Sequence, residues 1–106
     1  METKKKQKKG KEFELEQYNV LNCLYSDNAR PKSWLELNAA PFSITKQIIN
    51  KINSTILTKE AISFIENNDN AIPKEVLLIE KDENGCRITE AGCKYWEYYN
   101  TNILTQ

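Results

Sequence analysis

The stretch that decides the fold spans residues 33–53 and reads SWLELNAAPFSITKQIINKIN. Ser33 and Glu36 have the spacing of a capping box, in which a serine and a glutamate three residues later satisfy the first backbone amides of a helix. Pro41 ends that helix, because proline has no amide hydrogen and its ring clashes with the preceding turn. A second helix is expected over 43–53, with its first residue as the N-cap. The stretch therefore predicts two helices joined by a short turn.

The second of these helices has an apolar side and a polar side. At 100° per residue the isoleucines fall together, and Thr45 points inward with them. The opposite side carries amide, hydroxyl and ammonium groups and no carboxylate: Ser43, Lys46, Gln47, Asn50 and Asn53. Lys51 of the same helix is a further candidate DNA contact. Asparagine and glutamine pair with adenine through two hydrogen bonds, and lysine binds guanine or phosphate. This side is a candidate DNA-binding surface, and an ordinary solvated helix face is the alternative interpretation.

A further helix is expected over 58–68, and it leaves two possible choices for the pair of helices that binds DNA. Its exposed side carries two carboxylates against one lysine, which makes a poor surface for phosphate. The DNA-binding pair of helices is either 33–40 with 43–53 or 43–53 with 58–68. The charges favour the first arrangement, in which the helix over 43–53 is the one that reads DNA.

A two-stranded hairpin is expected near the end of the chain. Residues 76–79 form an apolar run of strand length, and Asn84-Gly85 is the strongest short-range signal for a two-residue type I′ turn. This turn places Asp82 opposite Arg87. Arg87 is then either the cross-strand partner of Asp82 or, like Lys81, a basic group available to a ligand of the hairpin.

Helices are also expected at both ends of the domain. The first runs over 12–25, with carboxylates in its first turn that favour the positive end of the helix dipole. The last begins after Thr89 as N-cap and carries several large aromatic residues. Because aromatic side chains are enriched at interfaces, a symmetric dimer contact is expected through Tyr95, Trp96 and Tyr99. The alternative is that the tyrosines complete the core of the monomer.

Length and composition narrow the function. The length of 106 residues is that of a single domain. No run of apolar residues approaches the ~20 that a membrane-spanning helix needs. The absence of histidine removes histidine-based nucleophile activation and the usual zinc ligand, and three glycines form no phosphate-binding loop. Three cysteines without a C-x-x-C pair indicate reduced, packing thiols in a cytosolic protein, with a disulfide or metal site as the alternative. Neither an enzyme nor a cofactor is expected.

The net charge of zero hides a strong asymmetry along the chain. Residues 1–11 carry six lysines against one glutamate, whereas residues 12–106 carry nine basic against fourteen acidic residues. The first eleven residues are predicted to be a disordered basic tail, and 12–106 the folded domain. The tail is either a solvated terminus or a basic arm on nucleic acid. The acidic domain opposes DNA binding, because non-specific affinity comes from neutralised phosphates.

Residues 86–92, Cys-Arg-Ile-Thr-Glu-Ala-Gly, resemble the end of the wing in MarR- and PadR-like bacterial regulators, where a strand feeds a threonine-capped helix through a Leu/Ile-Thr-x-x-Gly pattern. Residues 33–52 are similar to the helix-turn-helix of those regulators, and together the resemblance covers about residues 12–100. It implies that the second helix of the pair lies in the major groove and that the wing touches an adjacent groove or phosphate. The residues implied are Ser43, Lys46, Gln47 and Asn50 for the groove, and Lys81 or Arg87 for the wing.

These observations lead to one expected fold and two functional hypotheses. The fold is α+β and mainly α, a winged helix-turn-helix with a short two-stranded wing. The first hypothesis is a cytoplasmic transcriptional regulator that binds double-stranded DNA as a homodimer, since one short helix gives little affinity. The Asn/Ile/Lys-rich composition is typical of a low-GC bacterium, its phage or a plasmid. The alternative is a winged-helix module that binds a protein partner and not DNA, as the acidic body favours.

Overall fold

The computed structural model describes residues 15–26, 31–40 and 43–103. The basic tail predicted for residues 1–11 lies outside them. Within the described residues the chain is an α+β fold with short antiparallel strands, which confirms the expected class. No helix in this part of the chain is long and apolar enough to span a membrane.

Five helices and five strands make up the described part of the chain. The helices are α1 over 15–25, α2 Trp34–Asn38, α3 Lys46–Asn53, α4 Lys59–Glu66 and α5 Glu90–Asn102. The strands are β1 Lys32–Ser33, β2 Ile56–Leu57, β3 Lys74–Glu75, β4 Ile79–Lys81 and β5 Gly85–Ile88.

Strands β4 and β5 form the predicted hairpin, and β1 extends it to a three-stranded antiparallel sheet in the order β1-β5-β4. Strand β1 lies between α1 and α2 in the chain, so this pairing fixes the hairpin to the helical half of the molecule. A separate two-stranded ribbon, β2 with β3, flanks α4. Neither β1 nor the ribbon was predicted, because strands of two residues show no periodicity.

The register of the hairpin differs from the predicted one by one residue. Arg87 lies opposite Glu80, and Lys81 lies opposite Cys86. The turn is therefore centred on Glu83 and Asn84, and the prediction of a type I′ turn at Asn84-Gly85 is wrong. A type I′ turn needs positive φ at both central residues, and Asn67 is the one residue with positive φ in the described part of the chain.

Gly85 serves the sheet, and its position in β5 explains why a glycine follows Asn84. A Cβ atom at this position would lie 1.7 Å from the backbone oxygen of Lys32. The missing side chain therefore allows β1 to approach β5. The sequence signal was real, but its cause is a close backbone contact and not the geometry of the turn.

The apolar run at 76–79 joins the ladder only at Ile79. Its partner strand ends at Ile88, because the following residue, Thr89, caps α5 as predicted through a hydrogen bond from the Gly92 amide, 2.9 Å. The Thr89 amide donates to the Leu78 carbonyl at 2.9 Å. A Cβ on Gly92 would lie 2.1 Å from that same carbonyl oxygen, so the glycine lets α5 pack onto the base of the hairpin.

The N-caps of α2 and α3 can be compared with the predicted starts of these two helices. The capping box of Ser33 and Glu36 is present, with both reciprocal hydrogen bonds, which confirms the prediction. Helix α3 starts later than expected, since Thr45 is its N-cap and accepts from the Ile48 amide at 3.3 Å. The predictions that Ser43 caps the helix and that Thr45 points inward are therefore wrong. Ile44 is buried and directly precedes the cap, which is the position of a hydrophobic-staple residue. Its burial favours a start of α3 at Thr45.

One hydrophobic core joins the helices to the base of the hairpin. Its largest fully buried apolar side chains are Val20, Leu21, Leu24, Leu37, Ile44, Ile49, Ile52, Ile62, Leu78 and Ile79. At the edge of the core, Gln17 of α1 is buried and its amide nitrogen donates to the Thr55 hydroxyl. That hydroxyl donates to the Lys51 carbonyl at 2.8 Å, so α1 is held against the end of α3.

The aromatic residues of α5 mainly pack within the monomer. Tyr95 and Tyr99 are only 6% and 3% exposed, which leaves almost no surface for the predicted dimer contact. Trp96 is half-buried, stacks on Tyr25 with ring centroids 4.1 Å apart, and donates to the Asn22 side chain at 3.1 Å. The tyrosines thus complete the monomer core, as in the alternative interpretation, because α1 and α4 cover that side of α5.

Candidate nucleic-acid interface

Helix α3 presents a continuous polar surface to solvent. Ile49 and Ile52 are buried, and this fixes the rotation of the helix on the core. The four residues on the opposite arc are exposed, and we call them the α3 face: Lys46, Gln47, Asn50 and Lys51. The α3 face has two ammonium and two amide groups and no carboxylate, as predicted from the sequence.

The two amides of the α3 face are available to a ligand. Among the described residues, the side chains of Gln47 and Asn50 make no hydrogen bond. Each amide offers one acceptor and two donor hydrogens in a plane, which is the geometry that binds an adenine edge through two bonds. The chemistry of this face therefore suits the major groove of DNA.

Two residues predicted for this face have other positions. Ser43 precedes the helix, is exposed, and its hydroxyl donates to the Asn38 side chain at 3.3 Å. Asn53 is half-buried and engaged with the hairpin, since its amide nitrogen donates to the Ile79 carbonyl at 2.7 Å. Its side-chain oxygen accepts from the amides of Leu78 and Ile79 at 3.0 and 3.1 Å. The Asn53 side chain therefore makes the backbone hydrogen bonds that an adjacent strand would make at the start of β4. It is not part of the exposed face.

Trp34 connects the other end of α3 to the tip of the hairpin. Its indole nitrogen donates to the Asp82 carbonyl at 3.3 Å, and its backbone amide donates to the Asn84 carbonyl at 3.0 Å. The Lys46 ammonium lies 5.4 Å from the centre of the Trp34 ring, within the range of a cation–π contact. The hairpin is thus fastened at its base by Asn53 and at its tip by Trp34, in a fixed position beside α3.

The hairpin is a less suitable surface for DNA than the α3 face. Arg87 forms an ion pair with its cross-strand neighbour Glu80, so its charge is compensated within the hairpin. This pairing corresponds to the cross-strand alternative predicted for Arg87, with Glu80 in the place of Asp82. Lys81 is exposed and makes no ion pair among the described residues, but Asp82 and Glu83 follow it directly.

A groove of about 690 Å³ runs along the other edge of α3. It is lined by Glu16, Ser43, Thr45, Gln47, Ile48, Asn50 and Lys51. Glu16 belongs to the first described turn of α1, so this turn lies beside the α3 face. No local pattern predicts this proximity, because it depends on how α1 packs across α3.

The cysteines have packing positions and no disulfide bond. Cys86 is buried, and burial raises the pKa of its thiol to about 11, with smaller contributions from Asp82 and Cys23. A thiol with a raised pKa is a poor nucleophile at neutral pH. Among the described residues no group of three metal-ligating side chains converges on one point.

Comparisons with known proteins give no relative of this chain. No protein-family model, no curated protein and no solved structure matches it.

Proposed function

We propose that this protein is a winged-helix DNA-binding protein that reads the major groove with the α3 face. The observation that carries the proposal is the α3 face itself: two unengaged amides between two lysines, without a carboxylate, on a helix whose other side is fixed by buried isoleucines. Such a surface is complementary to base edges and to the phosphates that flank them.

The order of the elements supports the winged-helix part of the proposal. A helix pair, α2 and α3, is followed by the β4–β5 hairpin, and α5 closes the domain. The ribbon and α4 are an addition between the helix pair and the hairpin. Contacts of Asn53 and Trp34 hold the hairpin beside α3, where a wing would lie.

Gel-shift and anisotropy measurements with duplex DNA test this proposal. The wild-type protein is expected to bind random duplex at low salt and to select a preferred site from a random pool. Gln47→Ala and Asn50→Ala are each expected to weaken binding to the selected site by about 1–3 kcal/mol, with binding to random duplex little changed. If both variants bind the selected site as the wild type does, α3 does not read the DNA.

A charge-matched pair of variants controls for a general loss of positive charge. Lys51→Ala removes a lysine from the α3 face, and Lys59→Ala removes an exposed lysine from α4. The first change is expected to weaken binding and the second to have a smaller effect. Equal effects would point to non-specific attraction and not to a defined surface.

The alternative function is a winged-helix protein-interaction module. Two features favour it: the acidic hairpin, and several exposed apolar side chains between α3 and β4, namely Ile56, Phe64, Ile72 and Leu77. No binding to random duplex at low salt would exclude the DNA-binding proposal and leave this alternative.

As a DNA-binding regulator of the kind proposed first, the protein would act as a homodimer on a two-fold DNA site. Sedimentation with and without DNA can check this.

A further inference from the structure

Lys46 occupies a position in α3 that the helix itself disfavours. It is the first residue of the helix, directly after the Thr45 cap, and the first turn contains no acidic side chain. The aligned peptide dipoles place positive charge at this end of a helix, so a cation here is unfavourable and an anion is favoured. A contact from outside α3 is therefore needed to hold the ammonium group at a defined place.

That contact comes from Trp34, the first residue of α2. The Lys46 ammonium lies 5.4 Å from the centre of the indole ring, whose negative face attracts a cation. The ring has a fixed orientation, because its nitrogen donates to the Asp82 carbonyl at 3.3 Å and the Trp34 amide donates to the Asn84 carbonyl at 3.0 Å. The hairpin thus sets the position of the ring, and the ring sets the position of the ammonium group.

The contact with Trp34 leaves the charge of Lys46 uncompensated. Lys74, Lys94 and Arg87 each form an ion pair with a glutamate, whereas Lys46 forms no ion pair with a described residue. An aromatic ring carries no net charge, and an ammonium group on its face keeps donor hydrogens for a second partner. Lys46 is therefore oriented by the fold and still fully charged.

Resting on the proposed function, we propose that Trp34 is a positioning residue for DNA binding, which holds the Lys46 ammonium toward a backbone phosphate at the hairpin edge of α3. A lysine side chain loses rotamer freedom when it binds a phosphate. The ring restricts this freedom before DNA arrives, so less is lost on binding. The hairpin contributes through this contact and not through its own charges, which are net negative over residues 80–87.

The expected size of the effect follows from the strength of such contacts. A cation–π contact at an exposed site corresponds to about a two- to fivefold change in an equilibrium constant. Removing the ring is expected to weaken DNA binding by about this factor, with the salt dependence unchanged because the lysine keeps its charge. Removing the charge of Lys46 is expected to weaken binding and also to flatten the salt slope by about 0.9.

A double-mutant cycle on DNA binding tests the coupling. Trp34→Leu and Lys46→Gln are measured singly and together on one selected duplex over about 50 to 200 mM salt, with circular dichroism as the check of folding. Trp34→Leu is expected to weaken binding about two- to fivefold when Lys46 is present and to have no further effect in the Lys46→Gln protein. Trp96→Phe changes a tryptophan that packs against α1, and it is the matched control that should bind as the wild type does.

A second measurement reports on the contact in the absence of DNA. The chain has two tryptophans, so Trp96→Phe leaves Trp34 as the only one and Trp34→Phe leaves Trp96. Iodide is an anionic fluorescence quencher and is concentrated near a positive charge, whereas acrylamide is neutral. Lys46→Gln is expected to lower the ratio of iodide to acrylamide quenching for Trp34 and to leave this ratio unchanged for Trp96. Bound duplex is expected to lower the Trp34 ratio in the same way.

The outcomes separate this inference from the proposed function. If the wild type binds DNA and Trp34→Leu weakens binding equally with and without Lys46, the indole does not act through that lysine. The inference is then overturned while the role of the α3 face stands, and an unchanged affinity of Trp34→Leu overturns it as well. If Trp34→Leu does not fold, the quenching ratio decides: a fall on Lys46→Gln and on DNA binding supports the inference, and an unchanged ratio overturns it. Absence of wild-type DNA binding at low salt refutes both the proposed function and this role of Trp34.

Discussion

Asn50 and Asn53 lie one helical turn apart on α3, and the fold uses them in opposite ways. The Asn50 side chain is exposed and makes no hydrogen bond among the described residues. Asn53 is half-buried and makes three hydrogen bonds to the backbone of the hairpin. The same residue type is thus available to a ligand on the α3 face and fully engaged at the edge toward the hairpin. Chemistry suited to DNA indicates a site only where tertiary contacts leave it free.

Helix α5 also has one buried and one exposed position that can be compared, and the largest expected loss of stability is at the buried one. Tyr99 is 3% exposed, so Tyr99→Glu would bury a carboxylate in the core and is expected to cost about 3–5 kcal/mol or to unfold the chain. Circular dichroism and urea denaturation measure this effect. Asn102→Glu, which adds a charge at an exposed position of the same helix, is the control and should stay folded. A folded, monomeric Tyr99→Glu protein from a dimeric wild type would instead place Tyr99 in an interface.

The second prediction compares the two asparagines directly. Asn53→Ala removes the partner of three backbone groups of Leu78 and Ile79, and it is expected to lower the free energy of unfolding by about 2–3 kcal/mol. Asn50→Ala is expected to change it by less than about 0.5 kcal/mol, because an exposed side chain without partners is removed. Urea unfolding of both variants checks this. Equal losses of stability would show that the two positions are not distinguished by the fold.

A smaller effect is expected for the ion pair of Arg87 and Glu80. Their side chains are 54% and 47% exposed, so the pair is screened by water and should contribute less than about 1 kcal/mol. A double-mutant cycle with Arg87→Ala and Glu80→Ala measures the coupling energy. A coupling well above this value would mean that the hairpin depends on the pair for its position.

The smallest effect appears only at alkaline pH and concerns Cys86. Because burial raises the pKa of its thiol from 9.0 to about 11, the unfolded chain loses this proton at lower pH than the folded chain. Stability from this group is therefore fully present below pH 9 and is lost as the pH rises toward 11. Cys86→Ala should show a weaker decline of unfolding free energy over that range than the wild type. Parallel pH profiles of the two proteins would contradict the assignment.

Local chemistry determined most of the helices and two of their caps. The capping box at Ser33, the cap at Thr89 and the exposed polar residues Lys46, Gln47 and Asn50 of α3 follow from residues a few positions apart, and the structure contains each of them, whereas the predicted cap at Ser43 was wrong. The α+β class followed in the same way from helical periodicity and the hairpin signal. These features could be predicted because their causes are contained within one or two turns of chain.

Tertiary structure alone decided which polar residues remain available. The helical periodicity predicts Asn53 on the polar side of α3. In the fold, its side chain is instead engaged in hydrogen bonds to the hairpin, about 25 positions away in the chain. The turn signal predicted that Gly85 belongs to a turn, but Gly85 lies in β5, where the approach of β1 explains it, and Arg87 lies opposite Glu80. The proximity of Glu16 to the α3 face likewise depends on the packing of α1. Contacts between residues distant in the chain have no periodic signature, so only the assembled fold determines them.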